Sequence, residues 1–161
     1  MTAKMGFAPV YDENSKVLIL GSFPSVKSRQ VEFYYGNKQN RFWKMLCGYF
    51  GVAIPEKTAD KKRLLLDKGV ALWDVITECE IEGSADASVK NPVIIDLAPI
   101  VATANLRKIL LNGTLAYDLF KKAYPNCSIS LQKMPSTSPA NPRYDESIWR
   151  QALDDVFTIS N

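Results

Sequence analysis

Four consecutive apolar residues, Val17 to Leu20, place the strongest constraint on how this chain can fold. The run combines β-branched and leucine side chains, lacks the polar alternation of a half-exposed strand, and is bounded by Ser15-Lys16 and Gly21. Such a run is typical of a strand that is buried on both faces of a parallel sheet. Because helices must then cover both faces, the predicted fold class is α/β.

Three further apolar runs and five helical segments complete the predicted order. The strands are expected at 17–20, 70–76, 106–111 and 127–134, and the helices at about 40–50, 57–68, 96–104, 114–123 and 145–157. This order predicts a three-layer α/β/α sandwich around a four-stranded parallel sheet, with residues 1–161 forming a single domain. Residues 1–15 are predicted to be a polar lead-in, in which the segment Phe7 to Tyr11 packs on the sheet edge.

The segment from Thr77 to Asn91 is predicted to be a long loop. A loop of this length in a compact domain is uncommon unless it serves a function. We expect its acidic residues to shape a site and repel a ligand rather than to act as general acids or bases. Its polar candidates are Glu78, Glu80, Glu82, Asp86 and Ser88.

The composition excludes several classes of chemistry. The chain has no histidine, which rules out imidazole acid–base catalysis and histidine metal ligation. The three cysteines, Cys47, Cys79 and Cys127, are odd in number and far apart, which argues against a disulfide framework or a cysteine metal site. A net charge of +3 permits a polyanionic partner without requiring one. With no apolar signal region and no run near the ~20 residues of a membrane span, we expect a soluble, cytoplasmic protein.

Small and polar residues follow the first buried strand, at the end where open α/β sheets bind their ligands. Gly21, Ser22, Pro24 and Ser25 lie directly after the strand, and small residues allow backbone amides to approach a ligand closely. For Asn40, near the start of the next helix, an N-cap role is the simpler explanation. The same stretch also contains Tyr34, Tyr35, Asn37 and Arg41.

Two further polar segments follow predicted strands. Asn112-Gly113 closes the third strand, and this pair favours a turn in which asparagine takes the left-handed region. The fourth strand ends in the loop 135–142, whose prolines and hydroxyl residues predict a stiff segment rich in backbone donors. The nucleotide-binding fingerprints GxxxxGK[ST] and GxGxxG are both absent.

Several of these segments are similar to motifs of the uracil-DNA glycosylase superfamily. They are GSFPS at 21–25, YYGNKQNRFW at 34–43 and MPSTSPAN at 134–141. The segments CEIEGSADASVKN at 79–91 and LLNG at 110–113 resemble its hypoxanthine-DNA (deoxyinosine) glycosylase branch, often called family 6. The resemblance runs from about Val17 to Trp149. It implies a monofunctional DNA glycosylase without metal or cofactor, which flips a deaminated base from damaged DNA and hydrolyses its N-glycosidic bond.

The resemblance also implies roles for individual residues. Many relatives carry a catalytic Asp or Asn just after the first glycine, where this chain has Ser22 and Phe23, so the branch it resembles assigns catalysis to Asn40, with Asn37 second. An amide at that place would orient the hydrolytic water beneath C1′. The residues expected to bind the flipped base are Gly21, Ser22, Phe23, Tyr35 and Asn112. The residues expected to contact DNA are Ser25, Ser136, Thr137, Ser138, Pro139, Asn141 and Arg143.

Other functions stay open on the residues alone. One is a glycosylase of the same superfamily that prefers uracil or a mismatch, and another is a non-catalytic DNA-binding module on this fold. A small-molecule enzyme on a doubly wound sheet is disfavoured by the absent fingerprints. The relatives further imply a monomer, which we expect in the cytoplasm of a bacterial or archaeal cell in association with the nucleoid.

Overall fold

The computed structural model of the protein describes residues 2–23, 33–81 and 90–158. Four parallel strands form its main sheet: β2 (Val17–Gly21), β3 (Val70–Asp74), β6 (Lys108–Asn112) and β7 (Ser130–Met134). Their order is β3-β2-β6-β7, so β2 lies at the centre with β6. Because the strands are parallel, their carboxyl ends meet at one edge, where Gly21 is the register partner of Asp74 and Asn112 that of Met134.

Helices cover both faces of this sheet, as predicted. They are α1 (Phe42–Phe50), α2 (Thr58–Lys68), α3 (Ala98–Thr103), α4 (Thr114–Ala123) and α5 (Glu146–Phe157). Successive strand residues point to opposite faces. Ile19 therefore packs in the core that contains Leu65 of α2 and Trp149 of α5, whereas Leu20 packs in the core that contains Phe120 of α4. The three-layer α/β/α prediction is confirmed.

A second sheet that the sequence analysis did not predict lies outside the parallel one. Its strands β1 (Thr2–Met5), β4 (Ile76–Ile81) and β5 (Lys90–Ile94) are antiparallel, in the order β1-β4-β5. The prediction of a loop over 77–91 is therefore wrong where β4 and β5 lie, and β1 lies within the segment predicted to be a polar lead-in. Acidic residues are depleted in strands, so Glu78 and Glu80 weakened the local signal. Glu82, Asp86 and Ser88 are outside the described residues.

The predicted strand over 70–76 is in fact divided at Val75. The N–H groups of Val75 and Ile76 donate to the carbonyl oxygens of Gly21 and Ser22, at 2.7 and 3.0 Å, and the chain then enters the second sheet. Asp74 is consequently the last residue of β3 instead of an interior strand residue.

The N-terminal segment packs on the edge strand β3, as predicted. Val10 forms an antiparallel bridge with Leu72, and Trp73 Nε1 donates to Phe7 O at 3.1 Å. Tyr34 OH donates toward the same segment, with Ala8 O at 2.9 Å. Of the helices within the described ranges, none is long and apolar enough to cross a membrane.

Candidate active site at the carboxyl edge of the parallel sheet

A cavity of about 590 Å³ opens at the carboxyl edge of the parallel sheet. Its volume lies within the range of roughly 300–1,000 Å³ that is usual for small-ligand sites. Arg143 is exposed and does not line it, and Ser25 lies outside the described residues. The other predicted site residues all line it: Gly21, Ser22, Phe23, Tyr35, Asn37, Asn40, Asn112, Ser136, Thr137, Ser138, Pro139 and Asn141. The structure thus brings these residues together, while their individual roles stay predictions.

The two asparagines before α1 are oriented by local hydrogen bonds. Asn40 Oδ1 accepts from Phe42 N at 2.9 Å, and Asn37 Oδ1 accepts from Gln39 N at 3.0 Å. The helix begins at Phe42 with Arg41 at the N-cap position, so Asn40 precedes the cap residue although its side chain still binds the first helical N–H. A carboxamide oxygen has two lone pairs and the nitrogen two hydrogens. Asn40 therefore has both a fixed orientation and remaining capacity to hold a water molecule.

Arg41 ties this segment to the loop that follows β7. Its Nη2 donates to the carbonyl oxygens of Ser138 and Asn141, the latter at 2.8 Å. Its backbone N donates to Thr137 O at 3.0 Å, and the guanidinium lies 4.3 Å from the centre of the Tyr144 ring. The fork of donors on one arginine thus sets the spacing between the two segments that flank the cavity.

Replacement of Arg41 by methionine is expected to destabilise the protein by about 3 kcal/mol, because it removes two hydrogen bonds from a charged donor, each worth about 1.5 kcal/mol at the low end of the usual range. Arg41→Lys should recover only part of the loss, since a lysine lacks the planar fork. Urea unfolding measures the effect. Arg63→Met, at an exposed position of α2, is the matched control, and equal unfolding midpoints for the two methionine variants would contradict the role of Arg41.

The side-chain amide of Asn112 forms its hydrogen bonds with other residues of the protein. Its Nδ2 donates to Thr137 Oγ1 at 3.0 Å and to Tyr35 OH at 3.1 Å, and its Oδ1 accepts from Thr137 N at 3.0 Å. Asn112 does not adopt the predicted left-handed conformation; the positive φ lies at Gly113, whose φ is 98° and ψ 167°. Asn112 thus joins the end of β6 to the loop after β7, and both of its amide hydrogens are already engaged.

Tyr35 adopts a strained backbone conformation beside this network. Its φ is 54°, and it is the non-glycine residue with positive φ in the described ranges. Such strain is stored preferentially at functional sites. The ring stacks on Phe42 with centroids 4.2 Å apart, which leaves only its other face for a ligand. Burial, followed by the nearby Asp74, raises the pKa of Tyr35 far above its ordinary value, so the hydroxyl stays protonated.

Asp74 is an ionisable residue of the cavity lining to which the sequence assigned no role. Its side chain ends β3 and is 4% exposed, and in the part of the chain that the structure describes its Oδ2 has no hydrogen-bond partner. Burial raises the pKa of the Asp74 carboxyl to about 7. Buried acids with raised pKa values cluster at functional sites. Asp74 could have been recognised as an acid at the carboxyl end of a buried strand. The predicted strand continued to Ile76, however, which placed Asp74 in its interior.

Gly21 makes the convergence of these groups sterically feasible. A Cβ atom at Gly21 would lie 2.6 Å from Asp74 Oδ1 and 2.8 Å from Tyr35 OH, closer than side chains tolerate. The absence of a side chain at the end of β2 therefore lets a carboxyl group and a phenol approach the same point.

Comparison with known proteins identifies the family. The profile of the Uracil DNA glycosylase superfamily matches residues 8–156. A protein named Hypoxanthine DNA glycosylase from Methanosarcina acetivorans is 34% identical over 151 residues, which is 91% of this chain and 95% of that protein. A protein of the same name from Methanosarcina barkeri is 34% identical over 117 residues, 68% and 71% of the two chains.

A solved structure agrees with this grouping. The solution NMR structure of a candidate uracil DNA glycosylase from Methanosarcina acetivorans has a TM-score of 0.82 and 32% identity. The match covers 96% of this chain and 99% of the other. The site described above lies within the matched residues, and the chain belongs to the uracil DNA glycosylase superfamily.

Proposed function

We propose that the protein is a monofunctional DNA glycosylase that releases hypoxanthine from deoxyinosine in DNA and leaves an abasic site. The observation that carries the proposal is the cavity of about 590 Å³, lined by two oriented asparagines, in a chain whose relatives are named hypoxanthine DNA glycosylases. The glycosidic bond of a stacked base is out of reach, so the damaged nucleotide rotates out of the duplex into the cavity. A deaminated base pairs weakly, which lowers the cost of that rotation.

Hydrolysis of the glycosidic bond needs a placed water more than a strong base, because the transition state resembles an oxocarbenium ion. Asn40 is the residue proposed to hold this water. Its Oδ1 is already fixed by Phe42 N and keeps a second lone pair for a water hydrogen. Asn37, in the same turn, is proposed to support it, since Asn37 O accepts from Asn40 N at 2.9 Å.

The flipped base is proposed to stack on the face of Tyr35 that Phe42 leaves uncovered, next to the strand end at Gly21, Ser22 and Phe23. Asn112 is proposed to support base binding through Tyr35, because Asn112 Nδ2 donates to the tyrosine hydroxyl.

The loop after β7 is proposed to contact DNA, together with Ser25. Thr137 is 1% exposed and bonded to Asn112, so its contribution is the shape of the loop. Asn141 Nδ2 donates to Ser136 O at 2.9 Å and stiffens the loop further. Pro139 and Arg143 are exposed and are the side chains proposed to meet the backbone or the vacated stack, with Ser138 beside them.

The proposal further includes a single domain that acts as a monomer on damaged DNA. A glycosylase works where the genome lies, so we infer a cytoplasmic protein associated with the nucleoid.

The decisive experiment incubates the protein with end-labelled duplexes that carry deoxyinosine, deoxyuridine or no lesion. Alkali-labile sites at deoxyinosine, with free hypoxanthine detected by chromatography, are the expected result. Cleavage at deoxyuridine alone would move the substrate to uracil, the base in the name of the structural relative. Salt-dependent binding without cleavage at any lesion would instead identify a DNA-binding module.

A further inference from the structure

One buried polar group of the cavity has no part in the mechanism described so far. We propose that Asp74 is a further catalytic residue, the general acid that gives a proton to the departing purine. The inference rests on the proposed glycosylase function and adds to it the source of leaving-group activation.

The Asp74 carboxyl is costly to keep at its position in the folded protein. Asp74 is 4% exposed, and among the described residues nothing donates a hydrogen bond to its Oδ2. A buried polar atom without a partner destabilises the folded state, so its presence calls for an explanation. Asp74 lines the cavity, and Gly21 leaves the space beside its Oδ1 free of a side chain. A ligand that enters the cavity can supply the missing partner.

The groups near Asp74 are already engaged in hydrogen bonds or cannot release a proton near neutral pH. The amide hydrogens of Asn112 are bonded to Thr137 and Tyr35. Burial is the main cause that raises the pKa values of Tyr34 and Tyr35 far above their ordinary range, and Asp74 raises both further. Among the described residues of the lining, Asp74 is the side chain that exchanges a proton near neutral pH.

The surroundings also explain why the acid form persists. Among the described residues, the titratable groups that interact with Asp74 are Tyr34 and Tyr35, both neutral phenols at physiological pH. The adjacent strand ends offer Gly21 and Asn112, which carry no charge, and the described lining includes no lysine or arginine to hold the carboxylate. Burial is therefore the cause that raises the pKa of Asp74 to about 7.

In the proposed step, proton transfer from Asp74 accompanies the departure of the base. The C1′–N9 bond breaks, and its electron pair passes to the purine. The carboxyl proton of Asp74 moves to a ring nitrogen of that purine, so that neutral hypoxanthine leaves. The water held by Asn40 forms a bond to C1′ and gives one proton to solvent, and the Asp74 carboxylate takes one proton back from solvent. One water is consumed per base released.

The test is the pH dependence of single-turnover hypoxanthine release from a deoxyinosine duplex, over about pH 5 to 9. The wild-type rate should fall above about pH 7, by up to tenfold per unit, as Asp74 loses its proton. Asp74→Asn keeps the shape of the side chain but has no acidic proton. It is expected to lower the rate by about 10²-fold or more and to remove the fall around neutral pH. Asp118→Asn, at an exposed position of α4, is the matched control and should behave as wild type.

A binding measurement separates catalysis from positioning. With a duplex that carries a 2′-fluorinated deoxyinosine, whose glycosidic bond resists hydrolysis, Asp74→Asn should bind within about threefold of wild type. A wild-type rate that stays level through neutral pH would overturn the inference without any variant, as would a wild-type rate and profile for Asp74→Asn. In both cases the proposed function stands. If the wild-type protein releases no hypoxanthine, the proposed function falls, and this inference falls with it.

Discussion

The Asn40→Ala variant is expected to release hypoxanthine about 10²- to 10³-fold more slowly than wild type under single-turnover conditions. Without the carboxamide, the attacking water loses its fixed orientation at C1′ and the reaction pays the full cost of ordering it. Affinity for a non-hydrolysable substrate duplex should change little, because Asn40 is assigned to the water and not to the DNA. Quench-flow release assays and binding titrations measure the two quantities separately.

The same side chain also supports the start of α1, so stability must be followed in parallel. Loss of the bond from Phe42 N to Asn40 Oδ1 should cost about 1 kcal/mol. Asn40→Asp keeps an acceptor for that N–H and should restore most of the stability. Asn126→Ala, in an exposed turn, is the control. An Asn40→Ala rate within about twofold of wild type would remove Asn40 from the mechanism and transfer the test to Asn37.

Asp74→Asn is expected to make the protein more stable at pH 8, by up to about 4 kcal/mol. The carboxyl has an ordinary pKa of 3.8 and a folded-state pKa of about 7, a difference of about 3 units at about 1.4 kcal/mol each. Between these values the unfolded chain has released the proton while the folded chain still holds it, so wild-type stability falls as pH rises. Because an asparagine does not ionise, the free energy of unfolding of the variant does not fall with pH in this way.

Urea unfolding at about pH 4 and pH 8 measures this effect. The advantage of Asp74→Asn over wild type should grow through this interval and level off above about pH 7. A constant difference between the two proteins at both pH values would mean that Asp74 ionises normally in the folded state. Asp118→Asn again serves as the control for removal of one negative charge.

The elements that were predicted correctly are those whose signals are local. The apolar run of β2 is buried throughout, and α4 begins and ends at the predicted residues, Thr114 and Ala123. Ligands of open α/β sheets bind at the carboxyl ends of the parallel strands. This rule was enough to predict that Asn40 and Asn112 lie near one site, and both line the cavity.

The features that escaped prediction depend on distant partners. The strand break at Val75 arises because the N–H groups of Val75 and Ile76 donate hydrogen bonds to the carbonyl oxygens of Gly21 and Ser22. The pairing of β4 with β1 joins segments about 75 residues apart, and no local pattern encodes it. For Arg41, the sequence indicated a helix start, whereas its donors reach carbonyl groups 96 to 100 residues away.

The position of Arg41 directly after Asn40 has a mechanical consequence. Arg41 binds the loop proposed to contact DNA, and Asn40 is proposed to hold the water. The Cα atoms of these two residues are only about 3.8 Å apart, because one peptide bond joins them. Arg41 N belongs to the peptide plane that joins it to Asn40 and donates to Thr137 O at 3.0 Å, so a displacement of that carbonyl acts directly on the backbone of Asn40. Contact of the loop with DNA and orientation of the attacking water would therefore be coupled through two consecutive residues.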